Sequence, residues 1–436
     1  KVFKCLQEFL RKTDKKILML FLYRFLINII FILVPIILIY RFFKKKEHPV
    51  RFKEKLCFFS KKRGKGKVLW FHGASVGEIQ SIIPLIEKLE KNKEIKKILI
   101  TSNTLSSSKI FQKFKLKKTV HQFFPIDTNY LTKKFLNYWE PSVAFFVDSE
   151  IWPNTITNLS KKKIPIILIN GRITENSFNK WKKLTFFSSE IFSKINLCFP
   201  SSSQSKRYLK KLGVKKIKFI GNLKFSQSEN EKLLDHNKEI KKFIANKKIW
   251  CASSTHKTEE LLCGIVHKKL KKKYKNLLTF IIPRHVERTD SIIKELKSIK
   301  LITHTHEPKK KIQKNTDIYV VNSYGKTKSF YNICNNIFLG GSLIKHGGQN
   351  PLEATRYGCN ILYGPNVDNF KEIYKFLDKL KISNKVNNHH QLSYRLNKMF
   401  LKKQSSKKNQ YRLNSIGNKI LNTTYEQVNL FLKNEI

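Results

Sequence analysis

The sequence lacks most of the devices that staple small or secreted proteins together. Its seven cysteines, Cys5, Cys57, Cys198, Cys251, Cys263, Cys334 and Cys359, are scattered with no CxxC pair. That argues against a zinc site or a disulfide framework and for a reducing compartment. Acid is scarce as well: 31 Asp and Glu stand against 87 Lys and Arg, a formal net charge of +56. Such a balance suits polyanions, whether nucleic acid, an anionic membrane face or a phosphorylated lipid. The lysines are spread along the whole chain beside an excess of Ile, Asn and Phe, a pattern of compositional drift. There is no zinc-finger spacing and no aromatic-basic RNA motif, so nucleic acid is not the expected partner. No internal repeat is visible. Apolar mass, by contrast, is ample: 41% hydrophobic and 12% aromatic residues in a chain of 436 are enough for two cored domains and exclude wholesale disorder.

One long apolar run stands near the start. "ILMLFLYRFLINIIFILVPIILIY", from Ile17 to Tyr40, is interrupted only by Arg24 and Asn28. About 20 such residues cross a bilayer, and Arg24 lies near enough to one end to snorkel. A buried core helix would carry the same run, but a signal peptide would be shorter and end in a small-residue cleavage site. Basic residues flank both sides, Lys1, Lys4, Arg11, Lys12, Lys15 and Lys16 before it and "RFFKKK" after it. The positive-inside rule therefore sets no orientation, and a helix lying in one leaflet fits equally. The sequence opens at Lys1 rather than Met, so its N-terminus is expected to be incomplete.

The remainder alternates strands and helices. "KVLWFHG", "KKILITSN", "SVAFFVDSE" and "IPIILING" read as buried strands, with a helix from about Ser75 to Lys91 after the first. A polar stretch from about Ser226 to Lys248 separates these from "KKIWCASST", "NLLTFIIPRH", "TDIYVVNS" and "NNIFLGGS". The pattern predicts an α/β protein with two Rossmann-like domains, each a parallel sheet covered by helices. The expected division is an N-terminal extension and anchor over 1–46, a first domain over 47–228 and a second over 229–436.

In such sheets ligands collect at the carboxyl ends of the strands, and the informative polar residues fall there. In the second half they are Ser253, Ser254, Thr255 and His256; Arg284 and His285; Gly340, Gly341 and Ser342; and Gly347, Gly348, Asn350 and Glu353. Small residues at a strand–helix junction let backbone amides approach a phosphate, and Arg284 could add a cation. In the first half they are Gly73 to Glu78, Pro125 with Asp127, Asp148 to Asn154, and Asn170 with Arg172. Glu78 and Glu150 are the candidates for a general base, each among apolar neighbours that would raise a carboxylate pKa. Ser75 and Glu78 also have the spacing of a helix capping box, which needs no chemistry.

Taken in order, "WFHGASVGE", "FFPIDT", "DSEIWPN", "INGRIT", "GNLKF", "ASSTHKTEE", "PRHVER" and "GGSLIKHGGQNPLEA" resemble the 3-deoxy-D-manno-octulosonic acid (Kdo) transferases of lipopolysaccharide synthesis. The resemblance runs from the apolar segment to about residue 370. It implies a B-type glycosyltransferase fold, two Rossmann-like domains facing a cleft, with an N-terminal anchor at the cytoplasmic face of the inner membrane. It implies CMP-Kdo as donor, the tetraacylated lipid A precursor as acceptor, inversion at the anomeric carbon, no cofactor and no active-site metal. Position by position it makes Glu78 the catalytic base, with Gly77 leaving room for the acceptor and Glu150, Arg172 and Lys224 in the cleft. Ser254, Thr255, His256, Arg284 and His285 then line the CMP site. Gly341 and Ser342 bring amides to the phosphate, and Asn350 and Glu353 meet phosphate and ribose. Three positions depart from the usual pattern: Asp148 stands for Glu, Gly73 for Ala and Gln349 for His. A B-type transferase with another nucleotide sugar, or an inactive basic binding derivative of the fold, are the competing expectations.

Overall fold

The computed structural model describes residues 2–227, 238–308, 310–401 and 406–435. Two compact units emerge, Lys1–Ser228 with Ile416–Ile436, and Glu229–Ser415. Of the polar stretch expected between the halves, residues 228–237 lie outside the described residues, and Lys238–Ile244 forms a helix.

The first unit is built on one parallel sheet of β1 (Val68–His72), β2 (Lys97–Ser102), β3 (Thr119–Phe123), β4 (Val143–Val147), β5 (Ile166–Gly171) and β6 (Leu197–Pro200), in the order β3-β2-β1-β4-β5-β6. β1 and β4 are buried at every position, which is why "VLWFH" and "VAFFV" run apolar instead of alternating. Trp70 on β1 is fully buried against Phe135 and Phe146, and its indole N–H donates to Thr101 Oγ1 at 2.9 Å, so its one polar atom is satisfied. The order reverses between β1 and β4, so the loops after those two strands diverge and leave a crevice at their carboxyl ends.

The second unit repeats the plan with β7 (Lys248–Thr255), β8 (Leu277–Pro283), β9 (Thr303–Thr305), β10 (Ile318–Val320), β11 (Asn336–Leu339), β12 (Asn360–Tyr363) and β13 (Ser383–Lys385), in the order β13-β12-β11-β7-β8-β10-β9. Here the reversal lies between β7 and β11.

The two ends of the chain differ from the simple division. The expected second domain runs through to 436, whereas the last turns of the helix Ser406–Glu435, from Ile416 on, belong to the first unit. The cause is close packing. A Cβ on Gly417 would meet the Phe225 carbonyl oxygen at 2.3 Å, Ile420 fills the space beside Gly221, and Lys88 donates to Asn422 at 2.5 Å.

The N-terminal helix runs over Val2–Phe43, and its Ile17–Phe43 portion is long and apolar enough to cross a membrane. Phe21, Phe25, Ile32, Ile36 and Phe43 are exposed, so the core-helix alternative does not hold for this segment. One stripe nevertheless docks: Met19, Leu20, Tyr23 and Phe31 pack on the core of the first unit. Arg24 does not snorkel as expected; its Nε donates to Asn154 Oδ1 and its Nη2 to Asn129 Oδ1, both at 3.0 Å. Tyr23 donates to Asp127 Oδ2 at 2.9 Å. Asp127 also accepts the Asn154 and Thr155 amides and the Thr155 hydroxyl, and burial raises its carboxyl to about 6 against the lowering effect of those bonds. The "FFPIDT" and "DSEIWPN" motifs thus supply the socket for the apolar helix.

Candidate active site

In the first unit, β1 delivers the chain into a short loop whose end is fixed by Ser75. Ser75 has extended backbone, caps the helix Val76–Glu90 and accepts the Glu78 amide at 3.4 Å. The Glu78 carboxylate returns the contact: Oε1 accepts from the Ser75 hydroxyl at 2.8 Å and Oε2 from the Ala74 amide at 2.7 Å. The capping geometry is therefore real. It also holds a half-buried carboxylate at the carboxyl edge of β1, and this carboxyl is raised above the ordinary range, first by burial and then by the charges of Glu150 and Asp148. Gly77 leaves open space, with nothing within 4 Å of where a Cβ would stand. Gly73 does not: a Cβ there would lie 3.2 Å from the Glu78 Cβ, so glycine at this position relaxes the packing on Glu78.

The loop after β4 carries the other two carboxylates. Glu150 Oε2 accepts the Trp152 indole N–H at 2.8 Å and is 3.1 Å from His72 Nε2. His72 is itself buried, stacked on Phe124 and bonded through Nδ1 to Thr101. Asp148 is 4% exposed, has φ +62 and accepts Lys224 Nζ at 2.6 Å. Buried Asn170 at the end of β5 makes that pair possible, because its Oδ1 accepts the Leu223 amide and so anchors the 3-10 turn Leu223–Ser226 that presents Lys224. The Arg172 amide donates to the Asp148 carbonyl. Glu78, Glu150, Asp148, Arg172 and Lys224 thus share the carboxyl edge of β1, β4 and β5.

In the second unit, Ser254 sits at φ +54, and the register with β8 shifts between Ser253 and Thr255. The irregularity turns the chain so that the Thr255 carbonyl accepts the Arg284 amide and His256 follows at the rim, 8% exposed. Arg284 and His285 are exposed beyond β8, and the His285 ring lies 5.8 Å from that of His256. Asn350 Oδ1 accepts the Leu352 amide, and Glu353 is half-buried with Lys328 Nζ 3.9 Å away.

Gly341 and Ser342 are placed differently from the expectation. Their amides do not point to an open phosphate site; they donate to Glu259, Gly341 to Oε2 at 2.6 Å and Ser342 to Oε1 at 3.1 Å. The same fully buried carboxylate accepts the His256 amide at 3.0 Å and the Leu343 amide at 3.0 Å. The Ser342 hydroxyl bonds the Leu339 carbonyl and accepts the Gly364 amide. Glu259 therefore clamps the loop after β11 to the loop after β7. It stands in the "ASSTHKTEE" motif, but only the fold shows its partners, which are 82 to 84 residues away for three of its four bonds. Among the described residues no group of His, Cys, Asp and Glu is placed to hold a metal ion.

Two parallel sheets with polar clusters at their switch points define a B-type glycosyltransferase fold. The enzyme UDP-GlcNAc 2-epimerase from Neisseria meningitidis superposes with a TM-score of 0.54 at 15% identity, over 83% of this chain and 100% of that one. HepE from Anabaena, in complex with UDP and glucose, gives 0.53 at 10% identity, over 84% and 100%. Sequence comparison narrows the class. The family 3-Deoxy-D-manno-octulosonic-acid transferase (kdotransferase) matches residues 50–227. The 3-deoxy-D-manno-octulosonic acid transferase of Rickettsia felis is 31% identical over 84% of this chain and 79% of its own length. The probable mitochondrial 3-deoxy-D-manno-octulosonic acid transferase of Arabidopsis thaliana is 30% identical over 76% of each chain. The chain belongs to the Kdo transferase family and is a glycosyltransferase.

Proposed function

We propose that the chain transfers Kdo from CMP-Kdo to the tetraacylated lipid A precursor in lipopolysaccharide synthesis, with its catalytic body on the cytoplasmic side of the inner membrane. Membership of the Kdo transferase family carries this reading. Glu78 is the general base: burial and the neighbouring carboxylates raise its proton affinity above that of an ordinary carboxylate, which suits it to taking a proton. The acceptor's primary hydroxyl gives its proton to Glu78 while its oxygen bonds the anomeric carbon of Kdo. The bond from that carbon to the phosphate oxygen breaks, its electron pair leaves with CMP, and the configuration inverts. Arg284, His256 and His285 hold the phosphate and the charge that develops on it. Ser254 and Thr255 shape the pocket wall, and Glu353 accepts from the ribose hydroxyls while Asn350 sets the loop beside it. Gly77 gives the acceptor access to Glu78. Lys224, paired to Asp148, and Arg172 offer cations to the donor carboxylate or a lipid phosphate. The apolar helix keeps the enzyme where its lipid acceptor resides.

The test is a transfer assay in detergent with labelled CMP-Kdo made in situ and the tetraacylated precursor, followed by mass analysis. Lipid heavier by one or more Kdo units supports the proposal and counts the sugars added. Turnover of a different nucleotide sugar, or CMP binding without any transfer, refutes it.

A further inference from the structure

The loop after β11 brings a third imidazole to the donor pocket. His346 is exposed and lies tilted on His256 with ring centroids 4.1 Å apart, and His285 meets the same His256 ring edge-on at 5.8 Å. Gly341 makes room for both: at φ +65, a Cβ there would come to 3.1 Å from His346 Cδ2 and 3.2 Å from His256 Cδ2. Gln349 Nε2 stands 3.4 Å from His256 Nε2. The charged groups around the rings are Arg284 and Arg288 after β8, Lys257 beside His256, Lys345 beside His346, and Glu259 and Glu260 at the start of the helix Glu259–Lys271. Both carboxylates are already engaged, Glu259 with four amides and Glu260 with the Arg288 guanidinium at 3.0 and 3.3 Å. Three imidazoles among cations, with their nearby carboxylates occupied, form a site for an anion.

We propose that His346 is a donor-binding residue, and that His256, His285 and His346 together take up a proton as they receive the nucleotide phosphate. This rests on the donor site proposed above. In the free protein, burial first and then His346, His285, Arg284 and Arg288 lower His256 to about 4, so it is neutral at pH 7. An arriving phosphate reverses the sign of the field at His256 and raises its proton affinity. Linkage then makes binding tighten as pH falls between the free and bound values, by up to about tenfold per pH unit for one proton taken up.

The experiment is calorimetric titration of the full chain in detergent with CMP, at pH 6.5, in buffers of different ionisation enthalpy. The proteins compared are the unaltered chain, His346→Gln, and His390→Gln on the exposed face of the helix His389–Leu401. The ionisation of CMP itself is common to all three and cancels in the differences. His346→Gln is expected to bind CMP roughly tenfold more weakly, the loss of one charge-assisted hydrogen bond, and to take up fewer protons. His390→Gln is expected to match the unaltered chain. Equal affinity and equal proton uptake in His346→Gln overturn the proposal while leaving the donor site standing. Absence of CMP binding by the unaltered chain overturns the donor-site reading and this proposal with it.

Discussion

Replacing Glu78 with glutamine separates the two roles that its position allows. As a cap, Glu78 accepts from the Ala74 amide at 2.7 Å and from the Ser75 hydroxyl at 2.8 Å. Glutamine keeps one oxygen for the amide and can turn its NH2 toward the Ser75 oxygen, so the cap loses about 1 kcal/mol or less. As a base, Glu78 contributes roughly 10²- to 10⁴-fold, and glutamine cannot take a proton. A thousandfold loss is about 4 kcal/mol of activation free energy, several times the stability change. Single-turnover transfer with mass detection measures the first quantity, and denaturant unfolding and CMP titration measure the controls. The expected result is a fall in the transfer rate of at least a hundredfold with stability and CMP affinity nearly unchanged. A variant that retains more than about a tenth of the rate refutes the base assignment and leaves Glu78 as a cap. The pH profile gives a second check. A base must be ionised, so activity rises with pH through the Glu78 pKa, and burial followed by the Glu150 and Asp148 charges places that limb above the usual carboxylate range. Glu150→Gln removes one of those charges and should move the limb to lower pH.

Gly77→Ala replaces a helical glycine where nothing lies within 4 Å of the new Cβ, so it should stabilise the fold by up to about 1 kcal/mol; if the acceptor passes this point, the same change raises the KM for lipid, and an unchanged KM removes Gly77 from the acceptor path. Glu259→Gln leaves one oxygen for four amides, so two donors lose their acceptor at about 1–3 kcal/mol each; unfolding and CMP titration should both weaken, and unaltered CMP affinity would show that the clamp does not shape the donor pocket. Tyr23→Phe removes a hydrogen bond to a carboxylate worth about 1.5–3 kcal/mol, so amide exchange in the helix Val2–Phe43 should speed up in detergent, and unchanged exchange would mean that Arg24 and the apolar stripe suffice.

Long buried strands were the legible part of the fold. "KVLWFHG", "SVAFFVDSE" and "IPIILING" announce β1, β4 and β5 because strands buried on both faces must be continuously apolar. β9 and β13 escape notice because each has three residues, none of them buried in β9 and one in β13, and β3 because "TVHQF" mixes polar residues into its run. In the site, the spacing of Ser75 and Glu78 already contained the cap, since both ends of that contact are local. Glu259 and His346 were not legible, because their partners come from other loops of the sheet. Arg24 differs from its expected snorkelling for a related reason: length and composition describe a helix alone, whereas its partners Asn129 and Asn154 stand 105 and 130 positions further along the chain.

Glu78 and Glu259 show how one structural position yields either chemistry or scaffold. Each lies at the start of a helix that follows a parallel strand next to a topological switch point, where a carboxylate meets free backbone amides. Glu259 is fully buried and holds four amides from two loops, so its lone pairs are occupied and its charge is balanced in place. Glu78 is half-buried and holds one amide and one exposed hydroxyl, while two further carboxylates raise its proton affinity. An acceptor hydroxyl can replace the Ser75 hydroxyl at Oε1 without leaving a buried donor unpaired, because Ser75 can turn to water. No substrate could make the corresponding exchange at Glu259. The difference in burial and partner count, rather than the carboxylate itself, is what leaves Glu78 free for the proton transfer proposed for it and Glu259 not.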